Sequence, residues 1–222
     1  MQSAGNDIIA LNTINKQRSN NRRFYAKIIS ASELVLYQRH KISGMPFEHF
    51  LWLAWSIKES AYKYLKRKIP ELVFSPTKII LQHIDLPDDR QLTGFKSGQW
   101  EGNASAETCY KGSVISGSDT LYFRSKIHAE LIATVVSEDE NFEDTWWGIR
   151  AIDHTDSDHQ SEEVRSFFLH KLNAVLPGKN FRIEKTSIGY PIVLQGTEEL
   201  KLPVSFAHHE RFVAYSFLLG SS

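Results

Sequence analysis

Between Pro46 and Pro70 the chain carries apolar residues at Phe47, Phe50, Ala54, Ile57, Ala61 and Leu65, a stripe stepping by three and four. Such a stripe predicts one long helix over Pro46–Ile69. Pro46 suits its start, where the missing N–H would go unused, and Pro70 suits its stop. A helix of this length must bury its stripe against something, and the residues beyond Pro70 read as strand. The segments "TKIILQHI", "QLTGFK", "CYKGSVI" and "LYFRSKIHAELIATVVS" are separated by Asp, Gly and Ser clusters of the kind that turn a chain. Ahead of the helix stand a short apolar strand, Asp7–Leu11, and a helix opening at Ser32 with the acid Glu33 in its first turn.

The order then repeats. The acidic "SEDENFED", Ser137 to Asp144, reads as a link between two lobes. "TWWGIRAI" predicts a strand, and "SEEVRSFFLHKLNAVLPG" a second amphipathic helix, Ser161–Leu176, capped by Ser161 and stopped by Pro177-Gly178. "FRIEKTSI" and "PVSFAHHERFVAYSFL" supply further strands. Helix followed by antiparallel strands, twice over, predicts an α+β fold with a trace of internal duplication.

Composition excludes some functions. At 222 residues, 41% hydrophobic and 23% charged, the chain suits a soluble globular protein of one or two domains. Basic and acidic residues balance at 26 each, so bulk charge gives no reason to expect a nucleic-acid partner. The single Cys109 can form no internal disulfide, and the first residues lack a signal peptide's basic and apolar segments. No apolar run reaches the roughly 18 residues of a membrane span. A cytoplasmic protein with no membrane and no nucleic acid is expected.

The chemistry-bearing stretch is "AWSIKESAYK", Ala54 to Lys63. Glu59 and Lys63, four apart on a helix, form either a surface ion pair worth about 0.2–0.5 kcal/mol or a metal ligand beside a phosphate-directed cation. Asp7, behind Gly5-Asn6, is either a turn residue or a carboxylate that a ligand approaches over glycine. "DHTDSDH", Asp153 to His159, offers ligand-type side chains but equally reads as a solvated loop before the second helix. Adjacent strand residues point to opposite faces, so at most one of His208 and His209 enters a given site. There is no Gly-x-x-x-x-Gly-Lys loop, no pair of cysteines and no nucleophile elbow.

"AGNDIIAL", "RRFYAKIISASEL" and "WSIKESAYK", in that order, resemble the 4′-phosphopantetheinyl transferase superfamily. That family carries a Gly-x-Asp strand near a Trp/Phe-x-x-Lys-Glu-Ala/Ser-x-x-Lys helix, matched here by Gly5, Asp7, Trp55, Lys58, Glu59, Ser60 and Lys63. The later "SEEVRSFFLHKL", "SIGYPIV" and "PVSFAHHERFVAYSF" resemble the first lobe of the two-lobed, surfactin-synthetase-activating type, moved to the end. The resemblance thus implies a circular permutation, with neighbouring chain ends. It implies two similar lobes, 1–143 and 144–222, each a long helix on an antiparallel sheet and related by a pseudo-twofold axis.

The resemblance also implies an activity. The family transfers the phosphopantetheine arm of coenzyme A to a serine of an apo carrier protein, such as acyl carrier protein, with Mg2+, releasing 3′,5′-ADP. On that reading Asp7 and Glu59 hold the metal, Glu59 accepts the serine proton and Lys63 neutralises the diphosphate. Lys58, Arg165, Ser166 and His208 join Lys63 in binding coenzyme A, and Asp7 and Glu59 face His208 and Arg165 across a cleft. A monomer would suffice. The alternative is a non-catalytic module that binds a carrier protein or coenzyme A. Some positions depart from the family: Ile9 stands where a second acid is common, Tyr190 where a lysine is usual, and Ala207 where a serine is usual. The acidic "DHTDSDH" replaces a basic stretch. The metal end is expected intact and the nucleotide end altered.

Overall fold

The apolar stripe is one 22-residue helix, and it lies on an antiparallel sheet. The computed structural model describes residues 3–39, 41–87, 98–106, 109–177 and 179–220. In chain order these form β1 (Gly5–Ala10), α1 (Lys16–Ser19), α2 (Arg22–Tyr25), α3 (Ala31–Arg39), α4 (Phe47–Lys68), β2 (Ile79–Asp85) and β3 (Gln99–Asn103). Next come β4 (Tyr110–Ser116), β5 (Asp119–Ile127), β6 (Leu131–Ser137), β7 (Thr145–Ala151) and α5 (Ser157–Val175). The described chain closes with β8 (Phe181–Lys185), β9 (Pro191–Gln195), β10 (Glu198–Glu199), β11 (Val204–His209) and β12 (Phe212–Leu218). The expected strand "QLTGFK" lies outside the described residues.

Three sheets result, with strand orders β1-β6-β5-β4-β2, β11-β12-β7-β3 and β10-β9-β8, and the pairs within them are antiparallel. The fold is α+β, as the sequence predicts. β3 precedes β4 in the chain yet pairs with β7, so the second sheet takes a strand from ahead of residue 143. Three apolar layers hold the elements together. Phe50, Ala54, Ile57, Ala61 and Leu65 of α4 pack on Leu81, Val114, Phe123 and Ile132. Ile8, Ala10, Ala133, Trp147 and Ala214 fill the space between the two larger sheets. Phe167, Phe168 and Leu172 of α5 pack on Val213, Tyr215 and Phe217.

Two helix starts differ from the sequence reading. α5 opens at Ser157 rather than Ser161, because Asp156 accepts the His159 N–H at 2.9 Å and its charge suits a helix N-terminus. The "DHTDSDH" segment is therefore half cap and first turn. At α3 the capping serine is Ser30, not Ser32. Its hydroxyl accepts the Glu33 N–H at 3.3 Å while Glu33 accepts the Ser30 N–H at 2.7 Å, a reciprocal capping box.

Gly5 sets how closely α4 approaches β1. A Cβ at that position would stand 2.1 Å from the Ser60 carbonyl oxygen and 2.9 Å from the Tyr64 Cβ. Ser3 seals the same contact by donating to the Tyr64 carbonyl at 2.7 Å. The helix backbone thus rests on the strand, and the side chains of Asp7 and Ile9 fall under α4.

Side chains join the two larger sheets edge to edge. β1 ends one sheet and β11 the other, and edge N–H groups need partners. The Asn6 N–H donates to Ser205 Oγ at 3.3 Å and the Ala10 N–H to His209 Nδ1 at 2.7 Å. Both spacings are four residues in the same sense, so the strands run parallel. Ser205 is the register partner of Ser216, which brings the start of β1 near the end of β12.

Two outcomes are expected. Gly5→Ala should lose at least the about 1–3 kcal/mol of an overpacked core, read by urea denaturation, because the obstacle is backbone. Wild-type stability in that variant would mean α4 can lift off β1 freely. His209 accepts through Nδ1, and burial, the main cause, holds its pKa below the ordinary 6.5. A depressed folded pKa means the unfolded chain binds the proton first. This contribution is therefore full above the ordinary value and lost as pH falls through the folded one. Melting temperature should drop more steeply on acidification in wild type than in His209→Gln, which accepts without titrating. Parallel curves would contradict the assignment.

Candidate active site

β1 and α4 bring Asp7, Glu59 and Lys63 together. The Lys63 ammonium donates to Asp7 Oδ1 at 3.2 Å and to the Asn6 carbonyl at 3.0 Å, and stands 3.6 Å from Glu59 Oε1. Two carboxylates therefore converge on one cation. Glu59 and Lys63 remain about a quarter exposed, whereas Asp7 is buried. Asp7 Oδ2 is buried with no hydrogen-bond partner among the described residues. Burial pushes the Asp7 carboxyl up to about 7, Glu59 adds to the rise, and Lys63 opposes it. A buried carboxylate oxygen left unpaired is costly, and burial with the nearby Glu59 charge is what raises this carboxyl. Among the described residues no group of three or more His, Cys, Asp or Glu gathers, so Asp7 and Glu59 are the acids on offer here.

Lys58 corrects the sequence reading. The resemblance assigns it to coenzyme A, but it is fully buried, on the core side of α4. Its ammonium donates to the Ile28 carbonyl at 2.7 Å and to Glu33 Oε2 at 2.8 Å, with Oε1 also at 2.8 Å. Glu33 further accepts the Leu81 N–H at 2.9 Å. Burial pulls the Lys58 pKa down while Glu33 pulls it back. Successive helix residues diverge by about 100°, so Lys58 points into the core where Glu59 points out. Trp55 likewise packs, edge-on to Phe74 at 5.4 Å and to Trp52 at 6.1 Å.

A cleft of about 260 Å³ runs on from Lys63 along α4, with Arg67, Tyr190, Pro191, Ser205 and Phe206 in its walls. His208 extends the same face of β11. Burial, then Lys63 and Lys185, hold its pKa down. His209 is turned the other way, toward Ala10, as alternation along a strand requires. Arg165 and Ser166, assigned to coenzyme A by the resemblance, stay on α5. Among the described residues neither bonds to Asp7, Glu59, Lys63 or His208.

Arg67 is a cation of this cleft that no motif announces. Its guanidinium donates to the Pro191 carbonyl at 2.6 Å and to the Val204 carbonyl, and lies 4.6 Å over the Tyr190 ring. The available signal was its spacing, four residues beyond Lys63 and so on the same face. A separate basic hollow of about 400 Å³ lies over α1 and α2, with Arg18, Arg23, Lys27 and Phe24 around it and Arg18 4.4 Å over the Phe24 ring.

The model of the 4′-phosphopantetheinyl transferase superfamily matches residues 3–114, half of the chain. The chain belongs to that superfamily. Comparison with curated proteins gave no match. The match spans β1 through most of β4, and so includes Asp7, Glu33, Lys58, Glu59, Lys63 and Arg67. Tyr190 and His208 lie beyond it. As a member of this superfamily the protein is a transferase of phosphopantetheinyl groups, and among its described residues no helix is long and apolar enough to cross a membrane.

The position of Lys58 in this transferase has a measurable consequence. Lys58→Met should strand the Glu33 charge and cost about 3–5 kcal/mol in chemical denaturation. The fraction that stays folded should keep its coenzyme A affinity. A stable variant with lost affinity would restore Lys58 to the ligand.

Proposed function

We propose that the protein transfers the 4′-phosphopantetheine arm of coenzyme A to a serine of an apo acyl carrier protein or similar carrier domain, with Mg2+, releasing 3′,5′-ADP. One observation carries this reading. Asp7, which meets Lys63 through Oδ1 and keeps a buried Oδ2 without a partner among the described residues, and the partly exposed Glu59 converge on that lysine beside a cleft lined with cations. Two carboxylates suit a cation that prefers oxygen, keeps waters and completes its shell with phosphate oxygens, so Asp7 and Glu59 would hold Mg2+. When bound, the ion would supply positive charge to the diphosphate oxygens.

The remaining work falls to the chain's own groups. Lys63, already oriented by three oxygens, neutralises the diphosphate and holds it for in-line attack. The serine oxygen forms the new bond to phosphorus while the bond to the departing 3′,5′-ADP breaks. The serine proton passes to Glu59, the more exposed of the two acids, directly or through a water. Arg67 and His208 place the nucleotide further along the cleft. The basic hollow over α1 and α2 suits an acidic carrier surface, since complementary charge speeds and orients encounter. Both walls of the cleft come from one chain, so a monomer suffices. The closeness of β1's start to β12's end supports the permuted two-lobed arrangement, with Asp7 and Glu59 from 1–143 and His208 from 144–222. A reducing cytoplasm is the compartment that fits.

The test is intact mass of several apo carrier proteins after incubation with enzyme, coenzyme A and Mg2+. Wild type should add one phosphopantetheine arm to at least one of them. Glu59→Gln should keep the fold and lose about 100-fold or more in turnover, the usual scale for removing a general base. Equal turnover by Glu59→Gln would place the proton elsewhere, and no gain on any carrier would end the reading.

A further inference from the structure

A line of hydroxyls crosses the apolar layer between α4 and its sheet. Ser56 of α4, Thr134 of β6 and Ser125 of β5 are all fully buried. Thr134 stands between Ile132 and Val136, and Ser125 follows Phe123, on the strand faces that pack against α4. Polar groups buried in such a layer cost stability unless each finds a partner, so their presence asks for a reason.

That line ends at Asp7. Thr134 is the register partner of Asp7 on one side and of Ser125 on the other, so the three side chains form one row across β1, β6 and β5. Ser56 donates to Thr134 Oγ1 at 3.1 Å, and Ser125 and Thr134 share a hydrogen bond of 2.8 Å. Ser56 also reaches the Asp7 carboxyl, where its hydroxyl opposes the rise that burial causes. Ser60, one turn further along α4, stands apart from the line, since its hydroxyl donates to the Ser56 carbonyl at 2.8 Å.

A serine has one hydrogen to give. With that of Ser56 on Thr134, Asp7 Oδ2 has no partner among the described residues. Ser125 can serve Thr134 instead, because either of the two can donate. The Thr134 hydrogen then turns to Ser56, and the Ser56 hydrogen turns to Asp7. No atom heavier than hydrogen has to move. Lys63 already holds Oδ1, so a donor at Oδ2 would leave the carboxylate one orientation.

We infer that Ser56, Thr134 and Ser125 form a hydroxyl chain that positions the Asp7 carboxylate for its cation. This rests on the reading of Asp7 as a Mg2+ ligand. All three hydroxyls are sealed inside the molecule, so they act through Asp7 as positioning residues. Partners behind a ligating carboxylate hold its orientation, and losing one commonly lowers metal affinity by about tenfold or more.

Two substitutions at Thr134 separate the hydroxyl from packing. Thr134→Val keeps the branched shape and loses the hydroxyl, whereas Thr134→Ser keeps the hydroxyl and loses a methyl group. Mn2+ titration with coenzyme A present, read by electron paramagnetic resonance, should give about tenfold lower affinity in Thr134→Val and Ser56→Ala, and affinity within about twofold of wild type in Thr134→Ser. Ser125, two strand spacings or roughly 10 Å from Asp7, touches it only through the chain, so Ser125→Ala should weaken binding in the same direction. Melting temperatures check that each variant is folded, and Ser56→Ala carries the comparison if Thr134→Val is not. Wild-type affinity in Thr134→Val and Ser56→Ala, or a greater loss in Thr134→Ser than in Thr134→Val, overturns the chain. Carboxyl carbon NMR of metal-free protein labelled at aspartate reads Asp7 directly, its resonance being the one that Asp7→Asn removes. Thr134→Val and Ser56→Ala should shift that resonance, and Thr134→Ser should leave it near its wild-type position. Such shifts with no Mn2+ bound by wild type remove the metal reading alone. Unshifted resonances with Mn2+ bound by wild type remove the positioning role alone.

Discussion

Lys58 and Glu33 form an ion pair sealed from water, and α4 cannot roll about its axis without breaking it. Burying two charges is favourable only where geometry and extra hydrogen bonds compensate their lost hydration. Here both Glu33 oxygens lie 2.8 Å from the ammonium, and the Ile28 carbonyl and the Ser30 and Leu81 N–H groups complete the set. The pair therefore ties α4 to the α3 start, to the segment before it, and to β2. It specifies rotation. With Lys58 turned inward, Glu59 and Lys63 are delivered to the side where β1 carries Asp7.

Distance is set by a second constraint, the absence of a side chain at Gly5. Rotation from Lys58 and approach from Gly5 together define where the two carboxylates meet. The site then needs a far wall, and the seam of β1 with β11 provides it. Ser205 and His209 do what a neighbouring strand would otherwise do for β1's outward N–H groups. The same strand presents Phe206 and His208 to the cleft on its other face. One seam thus holds the sheets together on one side and lines the cleft on the other.

Much of this was legible in the residues. The 3–4 stripe foretold α4 nearly to its ends, because periodicity and flanking prolines are local signals. The strands from β4 to β6, the Asp7 strand and the motif residues of α4 were equally local. Lys58 was misplaced because a lysine inside a family motif reads as a ligand contact, and its partner Glu33 is 25 residues away. Arg67 escaped notice for a similar reason, since its carbonyl partners lie 124 and 137 residues along the chain. β3's passage to the second sheet depends on long-range pairing that no local pattern records. Ser161 lost the cap of α5 to Asp156, one of several residues in "DHTDSDH" able to serve.

Asp7 and Glu59 must act as one cation site if the cleft is to work as proposed. Mn2+, a paramagnetic stand-in for Mg2+, can be titrated against the protein with coenzyme A present while free Mn2+ is read by electron paramagnetic resonance. Wild type should deplete the free signal, and Asp7→Asn and Glu59→Gln, both folded, should leave it close to that of buffer with coenzyme A alone. Equal depletion by all three proteins would contradict the shared site.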